Sequence, residues 1–151
     1  MAETKLNIEL VPQTCWYSNL RSALSQSAWD KLRKQVYKDA GHKCEICDSD
    51  GMLHAHEIWS YDDEKHIQKL IRPQALCPAC HEVKHIGFAN IKGRGQQAIA
   101  HLAKINDWTL EQASKYVDEQ FKVWSKRSKF RWICDTSSLE SYGLKSLVNP
   151  T

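Results

Sequence analysis

Apolar and polar positions along this chain switch between a period of two and a helical period, which predicts a mixed α+β fold. Near the start Leu6, Ile8 and Leu10 alternate with polar neighbours, so a short strand or extended arm is expected, stopped by Pro12. Trp16 and Leu20 form one face of a helical turn expected to pack on the domain. Trp29, Leu32, Val36 and Ala40 share one stripe and predict a helix from Ala28 to Ala40, with Ser27 as its N-cap and Gly41 as its terminator. Residues 53–61 read as a strand, with Leu53, Ala55, Glu57 and Trp59 opposite His54, His56 and Ile58. The alternation is imperfect, so a bulge or strand end is expected near His56. Asp62, Asp63 and Glu64 mark a solvated turn, and Pro73 restricts the returning strand to about Gln74–Leu76.

The second half reads as helical. A helix starting at Pro78 or Cys80 should reach about Asn90, where Gly93-Arg94-Gly95 breaks it. Gln96–Ile105 should form another, with Ile99, Leu102 and Ala103 inward and Asn106 as its stop. Thr109 and Gln112 make a capping-box pattern opening a helix to about Lys126, whose core stripe is Leu110, Ala113, Val117, Phe121 and Trp124. Phe130–Cys134 looks like a late strand, and the polar tail from Ser137 is expected to fray.

A length of 151 residues fits one domain, residues 1–151, with 44–90 at its centre, 1–43 as arm and helix, and 96–135 as later helices and strand. The opening lacks an apolar segment of signal-peptide length and no run approaches a membrane span, so a soluble intracellular (cytoplasmic) protein is expected, without a membrane partner. A formal net charge of +3 permits an anionic partner without demanding one.

Cysteine usage changes the picture more. Four of the six cysteines form two C-x-x-C pairs, Cys44/Cys47 and Cys77/Cys80, while Cys15 and Cys134 stand alone. That spacing suits one structural Zn²⁺ held by four thiolates in a reducing compartment, rather than a disulfide framework. His81 and His85 are spaced i,i+4, so a helix presents both on one face, where they can share a second ion. His54, two residues from His56, is open to three roles: proton acceptor, additional ligand, or an ordinary hydrogen-bonded histidine. His42, His66 and His101 read as surface or packing residues.

Across residues 44–85 the sequence resembles the HNH endonuclease family, whose fold is the ββα-metal or His-Me finger. Its zinc-containing members show a C-x-x-C pair, a segment like L-x-V-H-H-I, then N-L-x-x-L-C-x-x-C-H with a further histidine four residues on. This chain has Cys44-x-x-Cys47, Leu53-x-Ala-His-Glu-Ile58, then Arg72-Pro-Gln-Ala-Leu-Cys-x-x-Cys-His81 and His85. The resemblance implies that His56, His81 and His85 hold a catalytic divalent cation (Mg²⁺, Mn²⁺, Ni²⁺ or Zn²⁺), and that the substrate is a DNA phosphodiester. Glu57 stands where the family places the histidine that deprotonates the attacking water, which makes Glu57 or His54 the expected base. Arg72 stands at the family's asparagine, where it could pair with Glu57 or clamp the phosphate. Lys84, Lys92 and Arg94, together with Lys126, Arg127, Lys129 and Arg131, are expected phosphate contacts. The alternative is a non-catalytic zinc module that binds nucleic acid or protein on the same scaffold.

Overall fold

The N-terminal arm is clamped by side chains rather than by a sheet. In the computed structural model, which describes residues 4–15 and 20–144, Asn106 Oδ1 accepts from the backbone amides of Lys5 and Leu6 at 2.8 and 3.1 Å. Tyr116 Oη accepts from Ile8 N at 3.2 Å, Glu9 N donates to Lys84 O at 3.1 Å, and Trp124 Nε1 donates to Val11 O at 2.9 Å. With its polar groups taken in this way the arm stays extended without joining a strand ladder, while Leu6 and Ile8 sink into the core. The expected packing of Trp16 and Leu20 lies outside what the structure describes.

Helix α1 (Leu20–Ala23) leads into α2 (Gln26–Asp39). The N-cap of α2 is Ser25 rather than Ser27, because the Ser25 hydroxyl accepts from Ala28 N at 3.1 Å. Trp29, Leu32 and Val36 are its buried stripe, and Gly41 takes the left-handed φ of +68° that ends it. Strand β1 (His54–Asp62) pairs antiparallel with β2 (Ile67–Leu76), and β2 pairs parallel with β3 (Ile133–Asp135).

Strand β2 is much longer than the three residues expected, and the sheet's shape explains how it accommodates Pro73. Strand β3 accompanies only Ile67–Lys69, so farther along that side of β2 is an edge. Ala75 turns its N–H and C=O to this edge, where Glu45 takes both, and Pro73 shares that orientation two residues earlier. Its missing N–H therefore costs the ladder nothing. The bulge falls just beyond the expected place: Ile58 pairs with Arg72 and Trp59 with Leu70, leaving Ile71 as the extra residue.

The helix expected from Pro78 to Asn90 is two helices, α3 (Pro78–Lys84) and α4 (Ile86–Ile91), separated at His85 with φ −104° and ψ 49°. Helix α5 spans Gly95–Asn106, and α6 spans Leu110–Arg127 with both hydrogen bonds of the Thr109/Gln112 capping box formed. Ala113 and Val117 are the buried residues of α6, while Leu110 is exposed. Ser137–Tyr142 is a 3-10 helix rather than a frayed tail: Leu139 is fully buried and Ser138 Oγ donates to Leu70 O at 2.8 Å.

Two apolar clusters result. One packs Leu6, Ile8, Val83, Ile86, Leu102 and Val117 around the cysteines; the other packs α2 and Leu139 on Trp59 and Leu70 of the sheet. Among the described residues no helix is long and apolar enough to cross a membrane.

Candidate metal centre

The two C-x-x-C pairs meet. Residues 44–48 make a tight turn, with Asp48 N donating to Cys44 O at 2.9 Å, while Cys77 caps α3 by accepting from Cys80 N at 3.4 Å. The four Sγ atoms lie within 4.8 Å of one another, with Cys47 and Cys77 at 3.6 Å. Sulfurs bonded to zinc at about 2.3 Å stand roughly 3.8 Å apart across a tetrahedral edge, so the cluster can hold a metal such as zinc. Burial pushes the Cys44 and Cys80 thiols up. Burial acts on Cys47 the same way, but hydrogen bonds with Ser49, Cys77 and Cys44 together outweigh it and lower that thiol to about 7. A cation would stabilise all four as thiolates.

Two supports around this cluster escape sequence inspection. His101 Nε2 lies 3.2 Å from Cys80 Sγ, so this histidine borders the sulfur site instead of merely packing. Glu45, inside the first C-x-x-C pair, donates its N–H to Ala75 O at 3.0 Å and accepts from Ala75 N at 2.7 Å, docking the turn on the open edge of β2. Arg72 completes this dock with a fork onto Glu45 at 2.8 and 3.2 Å. Arg72 thus pairs with Glu45 of the cysteine turn, where the sequence suggested Glu57, and its side chain stays about half exposed.

A second cluster forms beside the first. His54 and His56 project from β1 toward α3, which presents His81 and, at its C-cap, His85. One nitrogen from each of His56, His81 and His85 lies within 4.8 Å of the others, with His81 Nε2 and His85 Nε2 at 3.1 Å. Burial, followed by the charges of neighbouring imidazoles, holds His81 at about 3; His85, more open to solvent, is lowered in the same direction, so both are neutral with a lone pair free near pH 7. His56 is only 4% exposed, and its Nε2 has no hydrogen-bond partner among the described residues. An orphaned buried nitrogen facing two neutral imidazoles suits a ligand set. His54 Nδ1 meets His81 Nδ1 at 2.8 Å, on the ring edge opposite the cluster.

The remaining expected site residues divide. Glu57 follows His56 on β1 and so turns to the other face of the sheet, where its charge acts on Cys134; it still lines the cavity that the histidines line. Cys134 itself is not isolated, since its thiol hydrogen-bonds that of Cys15. Lys84 does not reach the surface: it is 4% exposed, bonded to Asn7 Oδ1 and 3.7 Å from Glu9 Oε1, which corrects its assignment as a phosphate contact. Arg94 is occupied by Glu82 at 2.6 and 3.2 Å, and Arg127 by Asp63 at 2.9 and 3.1 Å. Lys92 is exposed over the Phe88 ring at 4.7 Å and lines the cavity.

Glu9, which the sequence did not single out, reaches the histidines from the arm. Its Oε2 lies 3.5 Å from His56 Nε2. The alternation that buries Leu6 and Ile8 puts Asn7 and Glu9 on the opposite side, the only signal in the sequence that pointed there.

The histidines open onto a groove of about 1060 Å³ between α2, β1, α3 and α4. Arg21, Arg33 and Lys92 contribute positive charge to its walls, while Glu9, Asp30, Glu57 and Glu82 contribute negative charge. Comparison of the chain with protein-family models, with curated proteins and with solved structures finds no match.

Proposed function

We propose that the protein is a metal-dependent nuclease of the HNH type that hydrolyses DNA phosphodiester bonds, with β1, β2 and α3 serving as a ββα-metal core. One observation carries this proposal: imidazole nitrogens of His56, His81 and His85 converge from a strand and a helix at the wall of a groove large enough for a nucleic-acid backbone. When bound there, a divalent cation supplies Lewis-acid charge at the scissile phosphate and the leaving oxygen.

The chain's own groups take the other roles. For His81 to offer Nε2 as a ligand, its Nδ1 must carry the proton and donate it to His54 Nδ1. His54 then carries its own proton on Nε2, so it positions His81 and is not the base. That leaves Glu57 to accept the proton of the attacking water from its place on the groove wall. Lys92, with Arg21 along the groove, holds the phosphate backbone, while Arg33 is paired with Asp30 at 3.0 Å.

The alternative, a non-catalytic zinc module, draws on the commitment of Arg72 to Glu45 and on a groove wall whose charges nearly balance. A supercoiled-plasmid nicking assay with Mg²⁺, Mn²⁺, Ni²⁺ or Zn²⁺ separates the two. Nicking by wild type that His81→Ala abolishes, and that Glu57→Gln lowers by roughly 10²–10⁴-fold, supports the nuclease. Undiminished nicking by His81→Ala removes the proposed site, and no nicking with any cation leaves the binding module.

A further inference from the structure

The arm carries a carboxylate into the histidine cluster, and its environment is not that of an ordinary ion pair. Glu9 is about nine-tenths buried, its side chain being 10% exposed, and its backbone N–H is fixed on Lys84 O at 3.1 Å. Its two oxygens differ. Oε1 faces Lys84 Nζ at 3.7 Å, while Oε2 is buried with no hydrogen-bond partner among the described residues. His56 Nε2, which faces it across the site, is orphaned in the same way among the described residues, and the two stand 3.5 Å apart.

Two buried polar atoms that each lack a partner are costly as they stand, and a cation between them would satisfy both. Donors bonded to one cation at about 2.0–2.1 Å stand roughly 3.0–3.4 Å apart. The 3.1 Å of the His81/His85 pair matches that spacing and the 3.5 Å of the His56/Glu9 pair lies just outside it; Glu9 stands outside the set of three imidazoles whose nitrogens lie within 4.8 Å of one another, so its carboxylate must draw in toward His81 and His85 when a cation binds. Lys84 on the far oxygen neutralises and orients the carboxylate without covering Oε2.

Resting on the assignment of His56, His81 and His85 as a metal centre, we infer that Glu9 is its fourth protein ligand, through Oε2. The centre is then three imidazoles and one carboxylate, a set that takes a borderline or hard dication, and cation binding locks the N-terminal arm against α3. Because the carboxylate lies on the arm while the imidazoles lie on β1 and α3, the site is complete only when the arm is seated.

The test uses the full chain with its cysteine site kept in zinc, titrated with Mn²⁺ and with Co²⁺, which suit nitrogen and oxygen donors. Manganese affinity is read by electron paramagnetic resonance, cobalt coordination by its visible d–d bands, and arm seating by amide hydrogen exchange over residues 5–12. Glu9→Gln keeps the size and loses the charged ligand. It should weaken Mn²⁺ at least tenfold, shift the cobalt bands, and remove the metal-induced protection of the arm. Glu9→Asp should restore part of the affinity. His81→Ala, as the control, should abolish binding of the second ion. Equal affinity and identical cobalt bands in wild type and Glu9→Gln, with His81→Ala defective, overturn the role of Glu9 and leave the histidine centre standing. A wild type that takes up no second ion overturns both. Should Glu9→Gln not fold, the wild type decides: cation binding that leaves arm exchange unchanged refutes the inference.

Discussion

Replacing Cys44 by alanine tests the proposed division of labour between the cysteine cluster and the histidine cluster most directly. Cys44 is 2% exposed and belongs to the apolar cluster that also contains Leu76, Cys77, Cys80 and Val83, so the sulfur site lies inside the core. A structural zinc contributes about 10–16 kcal/mol in small domains, comparable to or larger than the roughly 5–15 kcal/mol by which a whole domain is stable. Three remaining cysteines retain part of that binding, so a loss of about 5 kcal/mol is a conservative figure. At about 2–4 °C per kcal/mol for a chain of this size, Cys44→Ala should lower the melting temperature by roughly 10–20 °C. The assay is thermal melting by circular dichroism in the presence of zinc, with bound zinc counted in the same sample. His81→Ala is the contrast: its ring faces a groove, and its loss should cost far less stability while removing the second ion. A Cys44→Ala protein that melts within about 3 °C of wild type would refute the assignment of the cysteines as the structural staple.

Other outcomes follow from the side-chain partners. Lys84→Ala leaves Glu9 buried without its cation, so it should cost about 3–5 kcal/mol in the metal-free histidine site. It should also leave the salt dependence of DNA retardation unchanged, whereas Lys92→Ala should lower the salt slope by about one. Glu45→Ala removes the acceptor of Ala75 N as well as the Arg72 fork, and should destabilise by about 1–3 kcal/mol, more than Arg72→Ala does; melting curves in the opposite order would contradict the docking of the cysteine turn on β2. Acid should weaken the protein lacking its histidine-bound ion. His81 is held at about 3, and His85 is lowered in the same direction, against 6.5 in the unfolded chain, so below 6.5 the unfolded state binds protons that the folded state refuses. This contribution is complete above about pH 6.5 and fades as pH falls toward 3; melting temperatures at pH 7.5 and 5 check it, and His81→Phe should flatten the difference.

What the sequence carried well was local chemistry. The capping box at Thr109, the i,i+4 pair His81/His85 and the two C-x-x-C turns are short-range patterns, and each forms in place. What it carried poorly depends on neighbours distant in the chain. Pro73 argued against a strand until the short reach of β3 exposed an edge for it. Lys84 looked like a surface cation because nothing nearby in sequence announced that Asn7 and Glu9 would cover it. Arg72 found Glu45 rather than Glu57 because adjacent residues on β1 turn to opposite faces. His101 reaches Cys80 only through the packing of α5 on α3. Charges and polar groups are placed by tertiary partners, whereas periodicity and caps are read locally.

Residues of the cysteine cluster and of the proposed histidine centre meet on one helix and its caps, and this orders their dependence. Helix α3 has seven residues, too few to persist without external support, and its N-cap Cys77 and first-turn Cys80 come immediately before His81. An ion on the four sulfurs ties that turn to the Cys44–Cys47 turn and, through Glu45, to β2. The same constraint sets where His81 and His85 stand relative to His56 on the neighbouring strand. The influence runs mainly one way, because the histidines lie at the groove and the sulfurs in the core. On the proposed histidine centre, gradual chelation should therefore release that centre's ion first, with secondary structure and thiol protection intact. Stronger chelation that strips the cysteines should abolish whatever affinity the histidines retain. Thiol reactivity and metal release followed together test this order, and a histidine centre that keeps its affinity after the cysteines are emptied would show that the two sites share a helix without sharing stability.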